Sequence, residues 1–184
     1  MYNFFRDFKC YYPIILFENS VGIEKLFCSD ESTALSSANC LVLRKLLDDK
    51  WLCNPLVDFK LVLSPEELAY HIGRKALISL SERMQDTYDK IVLQRCTPEG
   101  LCIKFHLDNA DRIMQVALND DNEYTGGRLT FLTCDGKVHV PKRIAGSYTI
   151  HNNSIVHGVS EHTAGLRYGL FLIKERDGVL TENG

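Results

Sequence analysis

The sequence predicts a mostly β chain with an N-terminal helical part, folded as a double-sheet jelly roll or closed barrel that helices brace on one outer face. Two observations carry this. From about residue 89 onward, eight short strand-like runs follow one another, separated by turn residues, the pattern of a sandwich or barrel. Before them lie two long stretches with capping residues and apolar positions at helical spacing. Helices first and strands after places the helices against the outside of a sheet core.

The helical part runs over 1–88, with helices near 33–49 and 65–85. STALSSANCLVLRKLLDD (32–49) begins with serine and threonine and continues with apolar residues at helical spacing. SPEELAYHIGRKALISLSERM (64–84) opens with Ser64 as N-cap, Pro65 at the first helical position and Glu67 closing a capping box. Leu68, Ile72, Ala76, Leu80 and Met84 then form one apolar stripe, which packs a sheet and needs no chemical role. Residues 10–17 have the composition of an edge strand.

The β part spans 89–176. Its runs are DKIVLQRC, LCIKFHLD, DRIMQVALN, GGRLTFLTC, KVHVPKR, GSYTIHN, SIVHGVS and LRYGLFLIK, with turns at TPEG, NDDNEYTGG, CDG and HTAG. No repeat, low-complexity segment or linker interrupts the chain, so 1–184 reads as a single catalytic domain.

Composition narrows the setting. Apolar residues make up 45% and charged residues 24%, ordinary for a soluble globular protein. A net charge of −3 gives no electrostatic footprint for nucleic acid, although a local basic groove inside a neutral total is compatible with it. Seven cysteines, scattered and never in a CxxC pair, argue against a zinc ribbon or a redox motif. Arg6, Asp7 and Lys9 interrupt the N-terminal region where a signal peptide is apolar, and YYPIILF is too short to span a bilayer. The expectation is reduced thiols, a cytoplasmic or nuclear location and no membrane partner.

The chemistry starts at His106-Leu107-Asp108. Alternation on a strand puts residues i and i+2 on one face, so imidazole and carboxylate point the same way. Two such ligands need a third to complete a facial metal site with open positions. Alone the tripeptide means little, since six histidines in this chain give about 0.4 HxD occurrences by chance. The third ligand must come from another strand. If SIVHGVS and LRYGLFLIK form a hairpin centred near His162, His157 lies opposite Arg167 on one face. A metal on His157 then has a guanidinium fork nearby, the usual clamp for a carboxylate. In that hairpin His162 occupies the turn and cannot face inward. His151, one strand earlier, stays a rival to His157 that lacks the facing arginine. His139, between Val138 and Val140, points to solvent, and His71 takes a surface position on its helix.

HLDNADR, YTGGRLTF, the Pro141 to Gly146 turn and HGVSEHTAGLRYGLFL, in that order, resemble the iron(II)- and 2-oxoglutarate-dependent dioxygenases, closest to their prolyl 4-hydroxylase-like branch. The resemblance covers residues 90 to 174 and rests on the ordered series His106, Asp108, Arg112, Leu118-Asn119, Gly126-Gly127-Arg128-Leu129, Gly146, His157 and Arg167. It implies a double-stranded β-helix in which His106, Asp108 and His157 bind Fe(II) and Arg167 pairs with the distal carboxylate of 2-oxoglutarate. It further implies O2 as oxidant, ascorbate as a reductant, succinate and CO2 as products, and hydroxylation of a C–H bond. The branch puts a protein or peptide side chain first, proline foremost, with a small molecule or nucleic acid as alternatives within the class. Three departures mark this chain. IMQVALN lacks the tyrosine that relatives use on the cosubstrate, Cys96 stands where an upstream strand has another, and Arg128 replaces an acid. Tyr148, Tyr168, Thr149 and Phe171 are candidates to take over pocket duties, and NDDNEY is a candidate substrate-contacting loop. The rival from another class is a metal-free jelly-roll binding module that kept the fold without the chemistry.

Overall fold

The structure, a computed structural model, describes residues 27–100, 102–132 and 137–176. The edge strand expected over 10–17 and the CDG turn lie outside the described residues. Strand β1 (Phe27–Thr33) is followed by α1 (Ser37–Cys53), β2 (Asp58–Leu63), α2 (Pro65–Ile72) and α3 (Arg74–Arg83). The β part then runs through β3 (Lys90–Cys96), β4 (Ile103–His106), β5 (Ala110–Ala117), β6 (Tyr124–Gly126), β7 (Leu129–Leu132) and β8 (Val138–His139). It ends with β9 (Ser147–Asn152), β10 (His157–Val159), β11 (His162–Gly165) and β12 (Arg167–Glu175). Each of the eight expected runs contains a strand.

The strands build a six-stranded sheet in the order β1-β9-β5-β12-β3-β2 and a four-stranded sheet in the order β4-β10-β7-β8. A short β11-β6 pair stands apart from both. Every pairing is antiparallel. The expected double-sheet core with helices on one side is what forms. No described helix is long and apolar enough to cross a membrane.

Strand alternation divides the six-stranded sheet into two unlike faces. On one face Leu93, Met114, Val116, Ile150, Leu170 and Leu172 pack with Leu43 and Leu47 of α1, Leu68 and Ile72 of α2, Leu80 of α3 and Met84. Burying each such side chain stabilises the fold by about 1.5–3 kcal/mol. The other face carries Gln94, Gln115, Thr149, His151 and Arg167, all buried and all polar. A smaller apolar cluster of Leu129, Phe131, Ile155 and Val159 serves the four-stranded sheet.

Four local expectations need correction. The helical half also contributes two strands, β1 and β2, which close both edges of the larger sheet. The first helix starts at Ser37 because the chain before it is pairing: Thr33 pairs with Ser147, and the Ala34 amide donates to the Gly146 carbonyl at 2.7 Å. Ser36 is therefore the N-cap, its side chain accepting from the Asn39 amide. The second helix has the expected capping box between Ser64 and Glu67, but it breaks into α2 and α3 at Gly73, whose φ of 86° leaves the helical region. HTAG is strand β11, drawn out by pairing with β6, which itself lies inside the expected NDDNEYTGG turn.

Leu43 sits fully buried on α1, facing the sheet. Leu43→Ala is expected to cost about 2–5 kcal/mol in urea unfolding.

Candidate active site

The two sheets face each other across a cavity of about 250 Å3. His106 ends β4 and His157 begins β10, and the two residues are direct partners in the antiparallel register. Partners of this kind share a face, and their rings stand 4.5 Å apart between centroids. Strand β10 also pairs with β7, setting His157 opposite Phe131. Gly158 allows the close approach to β4, since a Cβ there would meet the Ile103 carbonyl oxygen at 2.8 Å. Asp108 lies just past the end of β4 and turns its carboxylate back to the rings. His106 Nε2 is 3.2 Å from Oδ1, and His157 Nε2 is 3.3 Å from Oδ2. One ligand atom from each of His106, Asp108 and His157 falls within 4.8 Å of the others.

Hydrogen bonds behind the two rings fix which nitrogen is bare. His106 Nδ1 donates to the Lys104 carbonyl at 2.8 Å, and His157 Nδ1 donates to the Ile155 carbonyl at 3.1 Å. A carbonyl only accepts, so each neutral ring carries its hydrogen on Nδ1 and presents a lone pair from Nε2. Both lone pairs then face carboxylate oxygens, an arrangement that calls for a cation between them. Burial, with the neighbouring His151, pushes His157 down to about 4, so its ring is neutral at pH 7. The hydrogen bond to Asp108 raises His106 above its ordinary value, which favours a proton on Nε2 beside the carboxylate when no metal is bound. Burial raises the Asp108 carboxyl, but hydrogen bonds from His106 and His151 outweigh this and hold it well below the usual carboxylate range. Two imidazoles and a carboxylate are a donor set that fits Fe(II) or Mn(II), and the backbone carbonyls behind the rings are the orienting partners such ligands use.

Arg167 opens β12 and reaches the same cavity from the opposite sheet. The expected hairpin is absent: His157 pairs with His106 and Phe131, whereas Arg167 pairs with Cys96 of β3. The two residues face each other across the cavity rather than along one ladder. Both point inward because strand parity is preserved in either arrangement. Arg167 is only 7% exposed, its Nε has no hydrogen-bond partner, and no carboxylate forms an ion pair with it among the described residues. A buried guanidinium without a counter-ion is costly unless an anion joins it. The other buried arginines are engaged: Arg95 with Asp48, and Arg143 with Gln115.

His151 and His162 depart from expectation. His151, on β9 of the six-stranded sheet, is 3% exposed, and its Nε2 lies 2.9 Å from Asp108 Oδ2. The signal was present in GSYTIHN, where alternation places Ser147, Thr149 and His151 on one face. His162 is also buried, at 3%, and lines a second cavity of about 190 Å3 with Cys96, Cys102 and Arg167. The turn assigned to it is a strand, so nothing holds the side chain outside. His139 is half-buried beside Phe131 rather than solvent-facing, with centroids 6.4 Å apart. His71 is half-buried, edge-on to Tyr70.

Of the four candidates for pocket duties, Phe171 lines the cavity and Thr149 shares its face of β9. Tyr148 and Tyr168 belong to the helix-side core, where the Tyr168 hydroxyl donates to Asp48 at 2.8 Å. Arg128, in the place of the family's acid, pairs with Asp121 at 2.8 Å and lies over the Tyr124 ring. The acidic loop is engaged as well. Asp120 accepts from the Ala145 amide, and Glu123 pairs with Arg44 of α1.

No protein-family model and no curated protein matches the chain. Solved structures do. A prolyl-4-hydroxylase from Pseudomonas putida aligns with a TM-score of 0.61 at 14% identity, covering 88% of this chain and 98% of its own. The viral collagen prolyl hydroxylase from Paramecium Bursaria Chlorella virus-1, in its 2OG complex, gives 0.63 at 13% identity over 83% and 97%. SnoN, a non-heme alpha ketoglutarate dependent epimerase from nogalamycin biosynthesis, gives 0.62 at 13% identity over 94% and 92%. The expected jelly-roll core is thus the fold of the prolyl 4-hydroxylases and of other 2-oxoglutarate-dependent enzymes. That one of them is an epimerase separates the fold from any single reaction.

Gly158→Ala is expected to force β10 away from β4, costing about 1–3 kcal/mol in urea unfolding.

Proposed function

We propose that this chain is an Fe(II)- and 2-oxoglutarate-dependent dioxygenase that hydroxylates a C–H bond of its substrate. One observation carries the reading: the His106, Asp108 and His157 cluster faces, across a single cavity, a buried Arg167 that has no counter-ion. A cation site and an anion site on opposite walls of one pocket suit a metal together with a dicarboxylate. The fold, shared with enzymes that use this cosubstrate, supports the same assignment.

His106 and His157 would hold the metal through Nε2, and Asp108 through its carboxylate. With 2-oxoglutarate and O2 present, bound iron supplies oxidative decarboxylation to succinate and CO2 together with substrate hydroxylation. The chain's part is orientation and exclusion of water. Arg167 offers a planar fork for the distal carboxylate, and its neighbours keep it dry, which strengthens the pairing. Val92, Ile113, Leu129 and Phe171 give the cavity its apolar lining. Gln115 accepts from Arg143 through Oε1, and Gln94 donates one N–H to Asp58 at 2.7 Å. Tyr148 and Tyr168 lie on the helix side of the sheet, so the charged grip on the distal carboxylate rests on Arg167 without a tyrosine from those positions. Substrate enters beside Lys60 and Ile103, both exposed at the cavity edge. A protein or peptide side chain is the first substrate class, with proline the first residue to try. Ascorbate serves as reductant, and the setting is cytoplasmic or nuclear.

Mn(II) with 2-oxoglutarate should raise the unfolding free energy by about 3 kcal/mol at a hundredfold excess over the dissociation constant. No shift with both present would sink the proposal in favour of a binding module. Asp108→Ala should abolish succinate release in the Fe(II)-loaded protein, and Arg167→Leu should raise the 2-oxoglutarate requirement while leaving Mn(II) binding intact.

The raised His106 pKa sets a pH dependence. Its proton must leave before Nε2 can accept a metal, so proton and cation compete. Mn(II) affinity should therefore be higher at about pH 8 than at about pH 6, on either side of the ordinary histidine value. Titrations followed by the EPR signal of free Mn(II) read this directly, and a flat or inverted profile would contradict it.

A further inference from the structure

His151 is the one histidine in contact with Asp108 that the metal set does not use. It comes from β9 in the six-stranded sheet, whereas His106 and His157 come from the four-stranded sheet. Its Nε2 lies 2.9 Å from Asp108 Oδ2, closer than either of the other two rings comes to the carboxylate. The ring stands 4.4 Å from His157, tilted by 58°, and sits edge-on to Phe131 at 5.5 Å.

Its tautomer separates it from the other two. His106 and His157 each have a backbone carbonyl behind Nδ1, which fixes the hydrogen there and bares Nε2. Nδ1 of His151 is buried with no partner of any kind. A hydrogen on that atom would be a buried donor with nothing to receive it, while Nε2 would face carboxylate oxygen lone pair to lone pair. The hydrogen therefore belongs on Nε2, where it is donated to Asp108. A nitrogen that carries a hydrogen has no lone pair left for a metal.

We infer that His151 is a positioning residue: it donates a hydrogen bond to Asp108 across the sandwich and holds the carboxylate in the orientation that metal binding requires. Asp108 lies two residues past the end of β4 and is held by no strand ladder of its own. With His106 at Oδ1 and His151 at Oδ2, the carboxylate is gripped from both sheets. Outer partners of this kind typically change metal affinity tenfold to a hundredfold. The inference rests on the metal-site reading above.

Two variants and one spectrum test it. His151→Phe keeps a ring of similar size beside Phe131 and deletes the donor, and His151→Gln returns an N–H near the position of Nε2. Mn(II) affinity of the full chain is expected to fall tenfold to a hundredfold for His151→Phe and to recover largely for His151→Gln. Hyperfine spectra of Mn(II)-loaded wild type should show two coordinated imidazoles. Wild-type affinity in His151→Phe would leave the ring a packing residue and overturn the inference alone. No recovery in His151→Gln, or a third imidazole in the spectrum, would overturn it by showing that the ring itself is needed. Urea unfolding of the metal-free variants identifies any loss caused by misfolding, and the spectrum of wild type decides independently of both variants. If wild type binds no Mn(II), the metal-site reading fails, and this inference fails with it.

Discussion

A carboxylate between two sheets organises this interior. Asp108 sits where the ends of two antiparallel ladders converge, and three histidines surround it within 3.3 Å or less. Removing a carboxylate from water is expensive unless hydrogen bonds or opposite charge replace its hydration. Here His151 donates to it, His106 shares a proton with it when no metal is bound, and His157 turns a bare nitrogen toward it, the last two rings oriented by backbone carbonyls two residues earlier. The arrangement is incomplete as protein alone and complete with a cation. The same logic applies on the opposite wall of the cavity, where Arg167 is buried with its Nε unpartnered and, among the described residues, no carboxylate beside it, whereas Arg95 has Asp48. The two deficits have opposite sign and share one cavity, which is what makes the pair informative.

That interior survives because apolar burial is concentrated elsewhere. Along β12 the residues alternate between two duties: Tyr168, Leu170 and Leu172 pack against the helices, while Arg167 and Phe171 face the cavity. The same division runs through β3, β5 and β9. The six-stranded sheet thus has a core on its helical side that does not depend on the polar side, and the polar side can carry unsatisfied groups without unfolding the chain. The helices serve the site only by supplying that separate core.

The local chemistry of the sequence transfers well and its long-range pairing does not. Ser64 and Glu67 form the capping box their spacing predicts, because both halves of that motif lie within four residues. His106 and Asp108 do converge, but β4 ends at His106, so Asp108 reaches the ring by turning back past the strand end rather than by strand alternation. The hairpin between His157 and Arg167 fails because successive strands of a jelly roll cross between sheets, so β10 and β12, separated by β11, have different partners. The inference that both face inward still holds, since side-chain parity along each strand does not depend on its partner. His162 is the converse case. A hairpin centred near His162 predicts a turn there, but β6 offers a ladder, and pairing outweighs local turn preference.

The same parity explains why the histidines at 151 and 157 differ in role though both are buried beside Asp108. Residue 157 is ladder-paired to residue 106, so their Nε2 atoms converge on one point from adjacent strands. Residue 151 approaches from the opposing sheet, which its apolar neighbours Tyr148 and Ile150 fix against the helices. Its ladder partner is Ile113 of β5, so its distance from the other two rings is set by the spacing between sheets rather than by a ladder it shares with them. A group placed that way is poorly suited to complete a metal's coordination geometry, which tolerates errors of a few tenths of an ångström. It is well suited to donate a single hydrogen bond, whose length and angle are more forgiving. The roles proposed for the two histidines thus follow from the element that carries each one, and residue type alone could not have told them apart.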